Sequence, residues 1–404
     1  MATERQSALS KLKEERRNKR QDAVETSNSD QDFWNDLYGR LRDGKVVPII
    51  GNALRNNRIF DINDDDDLGL PSPAPNNDDD ALNKLDRVAS DHLSVDEELA
   101  EMWAESIGYP LPDQPQLPRV AQFHRVISDD MRQAKSNYLK FLKECLLDVA
   151  AKDAAVVEVV EGLRSQIIEK NFSDIVAELD YPHFSVQRPD PLRILAKLRL
   201  PIYVTTSYYD FLERALEKEG VPKEKIHTKF CLWNMESESV APEHLPDPQY
   251  VPSRDEPVVY HLHGYEKYPR SLVLSEDDHL DYLLALAQDA NANKPLIPLY
   301  LRTALEESSL LLMGYRLQDW DFRILYRGLI NVQHSRLRML DRMYSIAIQL
   351  DPKYQDRIQN KEKARQYLND YFRSANFRVE WSSIDRFIVT LWNEYNQRRN
   401  QGQP

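Results

Sequence analysis

Three apolar runs that end in small or polar residues constrain the fold of this chain more than any other feature. The runs are residues 201–204, followed by 205–207; residues 258–262, followed by 263–264; and residues 310–313, followed by 314–315. A fourth apolar run, residues 46–50, ends at Gly51. Runs of this kind are typical of a doubly wound α/β sheet, in which the carboxyl ends of parallel strands form a nucleotide crevice. The sequence therefore predicts a parallel α/β sheet with a ligand site along one edge.

The composition narrows the class of protein. The 404 residues are enough for two or three domains with ample core. A net charge of −13 argues against nonspecific nucleic-acid binding by the whole surface, so we do not expect direct nucleic-acid binding. The two cysteines, Cys145 and Cys231, lack metal-ligand spacing. This cysteine usage indicates a reduced, cytoplasmic protein without a zinc site.

Neither the first residues nor the apolar runs predict export or insertion into a membrane. The charged N-terminus lacks the apolar segment of a signal peptide. No apolar run approaches the ~18 residues that are needed to span a bilayer. We therefore expect no association with membranes.

Changes in composition along the chain predict five parts. They are a charged N-terminal arm (1–30), the first part of a Rossmann-like domain with an acidic loop (31–80), a helical insertion (81–180), the remainder of the Rossmann-like domain (181–335) and a C-terminal α/β extension (336–404). The arm is interpreted either as a solvated helix or as a segment that binds a partner. The acidic loop at 61–80 lacks the ligand spacing of an EF-hand, which favours a solvated loop over a metal site.

The last part of the chain follows an α/β pattern in detail. A charged helix is predicted over residues 353–374, with Tyr367 and Phe372 pointing inward. An edge strand is predicted over residues 377–381, followed by a closing helix over 383–397 and frayed residues from 398 onward.

His263 is the candidate with the clearest chemistry. It follows an apolar strand and precedes Gly264, which places it at the predicted edge. Histidine titrates near neutral pH, so it can accept a proton from a reacting group. The alternative is a structural histidine that is satisfied within the core. In a regular strand His261 would lie on the same face as His263.

Taken in order, the segments resemble the sirtuin-like (silent information regulator type) domain of bacterial phage-defence proteins. The match covers roughly residues 45–330. It consists of Gly51-Asn52-Ala53-Leu54-Arg55 as a phosphate loop, Gly69-Leu70-Pro71-Ser72, Thr205-Thr206-Ser207 with the helix after it, His261-Leu262-His263-Gly264 as the catalytic histidine motif, residues 272–280 as a short strand and acidic turn, and Gly314-Tyr315 through Asp321 as a last nucleotide-contacting turn.

The resemblance implies an NAD⁺ glycohydrolase that releases nicotinamide and ADP-ribose and depletes cellular NAD⁺ during phage infection. It implies His263 as the base and Ser207 as a polar group that orients the ribose or the attacking water. It further implies these contacts to NAD⁺: Gly51, Asn52, Arg55, Thr205, Thr206, Asp210, Gly264, Gly314, Tyr315 and Asp319. No cofactor beyond NAD⁺ as substrate is expected. Family members of this length resemble the subunit that pairs with a HerA-type hexameric ATPase, and a homo-oligomer is expected.

The motif departs from the family pattern in ways that keep two other functions open. Ser207 stands in place of an asparagine, and Tyr209 in place of an aspartate. Ala53 and Arg55 replace a glycine and a serine of the phosphate loop. These changes favour a scaffold or regulatory subunit with a degenerate nucleotide site. A nuclease subunit is the other alternative, although no paired-carboxylate metal motif at a strand end supports it.

Overall fold

The apolar runs form the strands of one parallel sheet in the computed structural model of the chain. The structure describes residues 31–51, 95–111, 115–128, 131–180, 190–247, 249–289, 295–315, 345–354, 358–374 and 377–400. Its strands are β1 (Val46–Ile50), β2 (Ile202–Thr205), β3 (His227–Phe230), β4 (Val258–His261), β5 (Ser309–Met313), β6 (Ser345–Gln349) and β7 (Phe377–Trp381). Every neighbouring pair in the order β3-β4-β2-β1-β5-β6-β7 runs parallel. Because β1, β2, β4 and β5 are buried along their whole length, their sequences are nearly continuous apolar runs rather than alternating patterns, with Thr205, His261 and Ser309 as the polar residues.

The strand order reverses at β1. The chain runs from β1 to β2, β3 and β4 on one side of the sheet, and then places β5, β6 and β7 on the other side. In an open α/β sheet, ligands bind outside the carboxyl ends of the strands at such a switch point. The predicted doubly wound α/β fold is confirmed, and its switch point lies between β1 and β5.

Helices cover both faces of the sheet. They are α1 (31–42), α2 (Val95–Ser106), α3 (Leu117–Ser128), α4 (Met131–Ala150), α5 (Val157–Ser165), α6 (Phe172–Glu178), α7 (Pro191–Lys197), α8 (Phe211–Lys218), α9 (Glu276–Asp289), α10 (Leu299–Glu307), α11 (Lys361–Ser374) and α12 (Ile384–Asn400). Buried side chains of α1 to α8 and α12 form one core with the sheet. Side chains of α9, α10 and α11 form a second core with it. This two-sided packing is what a doubly wound fold requires.

Helices α2 to α6 form the described part of the predicted helical insertion, and they dock against the start of α9. The side chain of Gln122 donates to Asp277 at 2.8 Å and accepts from the Asp277 backbone amide at 3.1 Å. Arg125 pairs with Asp277 at 3.2 Å, and Arg119 pairs with Glu276 at 3.5 Å. The insertion is therefore tied to the segment that follows the β4 turn.

The structure corrects three predictions near the C-terminus. The charged helix begins at Lys361 rather than 353, because Pro352–Tyr354 forms a separate 3-10 turn. Tyr367 is 62 % exposed, whereas Phe372 is buried. Five residues separate the two, which turns their side chains about 140° apart on a helix, so both cannot face the core. The closing helix α12 extends to Asn400, and Arg398 is buried in it instead of fraying.

Strand β3 is absent from the sequence prediction. Its residues, His-Thr-Lys-Phe, carry no apolar run because it is an edge strand that pairs only with β4. The loop after it packs on this strand. The ammonium group of Lys229 donates to the carbonyls of Glu243 and Leu245 at 2.6 and 2.8 Å.

Several predictions lie outside the described residues. They are the arm 1–30, the acidic loop 61–80, and three candidate ligand residues, Asn52, Arg55 and Asp319. The five-part division of the chain stays a prediction. Within the described ranges, none of the helices is both long enough and apolar enough to cross a membrane.

Candidate functional site

The carboxyl ends of β2, β1 and β4 continue to hydrogen-bond beyond the strands themselves. The Thr206 amide donates to the Ile50 carbonyl at 3.0 Å, and the Leu262 amide donates to the Thr205 carbonyl at 2.8 Å. The parallel sheet thus holds the turns after these strands side by side. Most of the candidate residues lie in these turns or in the turn after β5, as the sequence predicted.

Gly51 and Gly314 meet at the switch point. The Gly51 amide donates to the Met313 carbonyl at 2.8 Å. A Cβ atom on Gly51 would lie 2.3 Å from the Gly314 carbonyl oxygen, and Gly314 itself has a φ of +76°. Packing between the two turns therefore requires glycine at position 51, independently of any ligand.

The hydroxyl groups after β2 are buried and make internal hydrogen bonds. The Thr205 hydroxyl donates to the Ile50 carbonyl at 3.1 Å and accepts from the Ser207 amide at 3.0 Å. The Ser207 hydroxyl accepts from the Tyr209 amide at 3.2 Å, and so does not cap α8 directly. These bonds give the turn a fixed shape before any substrate arrives.

A pair of hydroxyl groups joins the turn after β2 to the turn after β5. The Thr206 hydroxyl lies 3.2 Å from the Tyr315 hydroxyl, and both side chains are buried. The Tyr315 carbonyl accepts from the Gln349 side chain at 3.0 Å, which extends the contact to β6. Thr206, Tyr315 and Gly51 therefore lie together around the switch point.

Asp210 begins helix α8 and pairs along it. Its carboxylate lies 2.5 Å from the Arg214 guanidinium, one turn further on. Arg214 also pairs with Asp174 at 2.6 Å, and the Asp210 amide donates to the Ser173 hydroxyl at 3.1 Å. These contacts hold Asp210 at the start of α8, and its contact with NAD⁺ stays a prediction.

His263 is buried and faces helix α9. Its ring makes edge contacts with Tyr282 and His279, with centroid distances of 5.3 and 6.0 Å. Its carbonyl accepts from the Val273 amide at 3.0 Å. The imidazole that hydrogen-bonds to Ser207 belongs to His261 instead. The expected common face is not observed, because β4 ends at His261 and the alternation of a regular strand ends with it.

Gly264 permits the turn after His263. Its φ is +92°, and a Cβ atom there would lie 2.3 Å from the Ser271 carbonyl oxygen. Any residue with a side chain is strained at this φ. The neighbouring atom belongs to the backbone, so it cannot move aside as a flexible side chain could.

We expect Gly264→Ala to lower the free energy of unfolding by about 2–4 kcal/mol, since left-handed strain and overpacking add. Urea unfolding of the purified variant measures this. Gly162→Ala is the matched control, because Gly162 lies inside α5 with nothing within 4 Å of an added Cβ. We expect the control to stabilise the chain by about 0.5–1 kcal/mol. Equal effects of the two substitutions would contradict the assignment.

Four buried charged side chains around the site were not found from the sequence. They are Glu213, Glu266, Lys135 and Asp278. Each has its partner far away in the chain, so no local spacing identifies the pair.

Lys135 and Asp278 lock the insertion to the segment after the β4 turn. The Lys135 ammonium donates to Asp278 at 3.0 Å, to the Leu272 carbonyl at 2.6 Å and to the Arg270 carbonyl at 3.3 Å. Asp278 also accepts from the backbone amide of Ser275 at 2.9 Å. Burial lowers the pKa of the Lys135 ammonium below its ordinary value, although the Asp278 carboxylate acts in the opposite direction.

Glu266 joins the β4 turn to the start of α6. Its carboxylate accepts from the Phe172 amide at 2.9 Å, from the Ser173 amide and from the Ser173 hydroxyl. Burial raises the pKa of the Glu266 carboxyl to about 8, and the charge of Asp210 adds to this, although hydrogen bonds from Ser173 oppose it. The network connects the insertion to the turns that carry Asp210 and His263.

The raised pKa of Glu266 predicts a pH-dependent stability. Between pH 4.5 and about 8 the folded chain keeps a proton that the unfolded chain has lost, so this group's contribution to stability falls as the pH rises. The fall is about 1.4 kcal/mol per pH unit in that window. Glu266→Gln removes this titration. We therefore expect the unfolding free energy of wild type minus that of the variant to decline from pH 5 to 8. A difference that is constant with pH would contradict this prediction.

Part of the chain is similar to a known family of domains. Residues 201–375 match the family model of the SIR2-like domain. The matched region contains the β2 turn, the His263 turn and the Gly314 turn, whereas β1 and Gly51 precede it. No curated protein matches the chain. Domains of this family commonly have NAD⁺-dependent enzymatic activity, so the match points to NAD-related chemistry. Among the described residues, no group of three or more Cys, His, Asp or Glu side chains is arranged to hold a metal ion.

Proposed function

We propose that this chain is an NAD⁺ glycohydrolase, which cleaves the bond between nicotinamide and ribose with water. The observation that carries the proposal is that the matched SIR2-like region contains Ser207 and His263, each in a turn that follows a parallel strand of one sheet. Gly51 and Gly314 meet at the switch point beside them, where α/β sheets bind nucleotides.

The chemistry assigns a role to each group. As the C–N bond breaks, nicotinamide leaves with the bonding electrons, and positive charge develops on the ribose as it does in glycoside hydrolysis. Neutral His263 accepts a proton from the attacking water, whose oxygen bonds to the ribose carbon. Ser207 orients the ribose or that water. The proton then passes to solvent, and the products are nicotinamide and ADP-ribose.

The remaining candidates form the proposed nucleotide contacts on both sides of the switch point. Gly51 with Asn52 and Arg55 would face the pyrophosphate, and an arginine can pair with a phosphate directly. The other contacts are Thr205, Thr206, Asp210, Gly264, Gly314, Tyr315 and Asp319. This set is supported by the position of its described members, most of which lie in neighbouring turns at the carboxyl ends of the parallel strands.

The biological part of the proposal follows from the family resemblance. We propose that the chain acts in the cytoplasm in bacterial defence against phage by depleting NAD⁺. In this proposal it forms a homo-oligomer and pairs with a HerA-type hexameric ATPase.

The test is the release of nicotinamide from NAD⁺ by the purified chain, alone and with a HerA-type ATPase. We expect nicotinamide and ADP-ribose in equal amounts under at least one condition. Unchanged NAD⁺ under both conditions would contradict the proposal.

A second candidate function is a scaffold or regulatory subunit with a degenerate nucleotide site. Buried hydroxyl groups of Thr205, Thr206 and Ser207, engaged in internal hydrogen bonds, favour it. A scaffold would show unchanged assembly with the ATPase when Ser207 is replaced by alanine, and no turnover of NAD⁺ in either form.

A further inference from the structure

His261 bridges two elements at the base of the candidate site. Its Nδ1 lies 2.7 Å from the Ser207 carbonyl oxygen, and its Nε2 lies 2.9 Å from the Glu213 carboxylate in α8. The ring is fully buried. Glu213 is also buried, and it accepts a hydrogen bond from the Thr228 hydroxyl at 3.0 Å.

The partners of His261 fix where its protons are. A carbonyl oxygen only accepts, so Nδ1 carries a proton and donates it to Ser207. Burial of Glu213 raises the pKa of its carboxyl, but the charge of His261 and the hydrogen bonds from His261 and Thr228 outweigh this effect and lower that pKa below its ordinary value. The lowered pKa favours the carboxylate form of Glu213 as the partner of His261 Nε2.

Ser207 is held at three points, and only one of them comes from another strand. Its amide donates to Thr205 and its hydroxyl accepts from Tyr209, both within the same turn. The bond from His261 to the Ser207 carbonyl joins Ser207 itself to β4, whereas the residues on either side are held separately: the Thr205 carbonyl accepts from the Leu262 amide, and the Tyr208 carbonyl accepts from the Glu266 amide. Loss of that bond leaves the neighbouring bonds at Thr205 and Tyr208 in place and releases only the peptide of Ser207 between them.

We propose that His261 is a positioning residue, held by Glu213, that fixes the peptide of Ser207 relative to the turn that carries His263. The proposal rests on the proposed function for its effect on turnover. In this proposal the hydrogen bond from His261 to Ser207 fixes the peptide, and the charges of His261 and Glu213 are not needed for it. A neutral His261 with its proton on Nδ1 can still make that bond, provided that its partner at position 213 donates to Nε2.

Two variants separate positioning from stability. Glu213→Gln removes the charge and keeps the bond from His261 to Ser207, because a glutamine amide can donate to Nε2. The double variant His261→Phe with Glu213→Leu removes the bond and replaces the buried pair with apolar groups of similar size, which leaves no buried charge unpaired. A merely structural pair would make the two variants behave alike in activity once each is folded.

The experiment measures kcat and KM for NAD⁺, together with hydrogen–deuterium exchange of the backbone over residues 205–210. We expect the double variant to exchange faster over this segment and to lose about 10- to 100-fold in kcat, with KM within about threefold of wild type. We expect Glu213→Gln to keep wild-type exchange there and kcat within about threefold. Thermal unfolding and exchange over β1 confirm that each variant is folded.

The outcomes also separate this proposal from the proposed function. Unchanged exchange over residues 205–210 in the double variant overturns the positioning role, as does faster exchange with unchanged kcat. Equal losses of kcat in the two variants overturn it too. If wild type turns over no NAD⁺, the proposed function fails, and the exchange measurement alone then decides whether His261 holds Ser207.

Discussion

Replacing His263 with alanine is expected to lower kcat for NAD⁺ hydrolysis by about 10²- to 10⁴-fold, the usual contribution of a general base. The variant retains the turn geometry, because Gly264 and the bond from Val273 to the carbonyl at position 263 do not depend on the imidazole. Nicotinamide release under saturating NAD⁺ measures the effect.

His124→Ala is the matched control for this substitution. His124 is a buried histidine of α3 that stacks on Trp103, with a centroid distance of 5.7 Å. Both changes remove a buried imidazole, so their stability costs are comparable, but only His263→Ala should remove turnover. Equal activity of the two variants would show that His263 is a structural histidine and not the general base.

Replacing Lys135 with methionine is expected to lower the free energy of unfolding by about 3–5 kcal/mol. Methionine fills a similar volume, but the Asp278 carboxylate is then buried without its counter-charge, since both side chains are about 98 % buried or more. The carbonyls of Leu272 and Arg270 also lose a donor. Urea unfolding by circular dichroism measures the loss.

Two companions sharpen this prediction. Lys140→Met removes an exposed lysine from the same helix, where it pairs with Glu144 at 3.4 Å, and should change stability by less than about 0.5 kcal/mol. Adding Asp278→Asn to Lys135→Met removes the stranded charge and should restore a large part of the loss. A Lys135→Met effect no larger than that of Lys140→Met would show that the pair does not hold the insertion in place.

The architecture could be predicted because buried parallel strands have a distinctive sequence. Residues 46–50, 202–204 and 310–313 are apolar throughout, and polar or glycine residues mark where each strand ends. Strand β3 could not be predicted, because an edge strand is only partly buried and does not need an apolar run. The inward position predicted for Tyr367 is wrong, because α11 turns its side chain away from that of the buried Phe372.

The candidate site could be predicted only in part. The positions of Thr206, Gly51, Gly314 and Tyr315 at neighbouring turns follow from their places after strands. The partner of Ser207 could not be predicted, because β4 ends at His261 and the next two residues leave the strand alternation. Pairs such as Lys135 with Asp278 could not be predicted either. The two residues are 143 positions apart in the sequence, and whether they meet depends on how the insertion packs against α9.

The most direct test of the central claim is NAD⁺ turnover in water enriched in ¹⁸O, with the wild-type chain alone and with a HerA-type ATPase, followed by mass spectrometry of the products. The glycohydrolase account predicts nicotinamide and an equal amount of ADP-ribose with one ¹⁸O atom on the ribose carbon that carried nicotinamide. Intact NAD⁺ under both conditions, or ADP-ribose without the label, would contradict it.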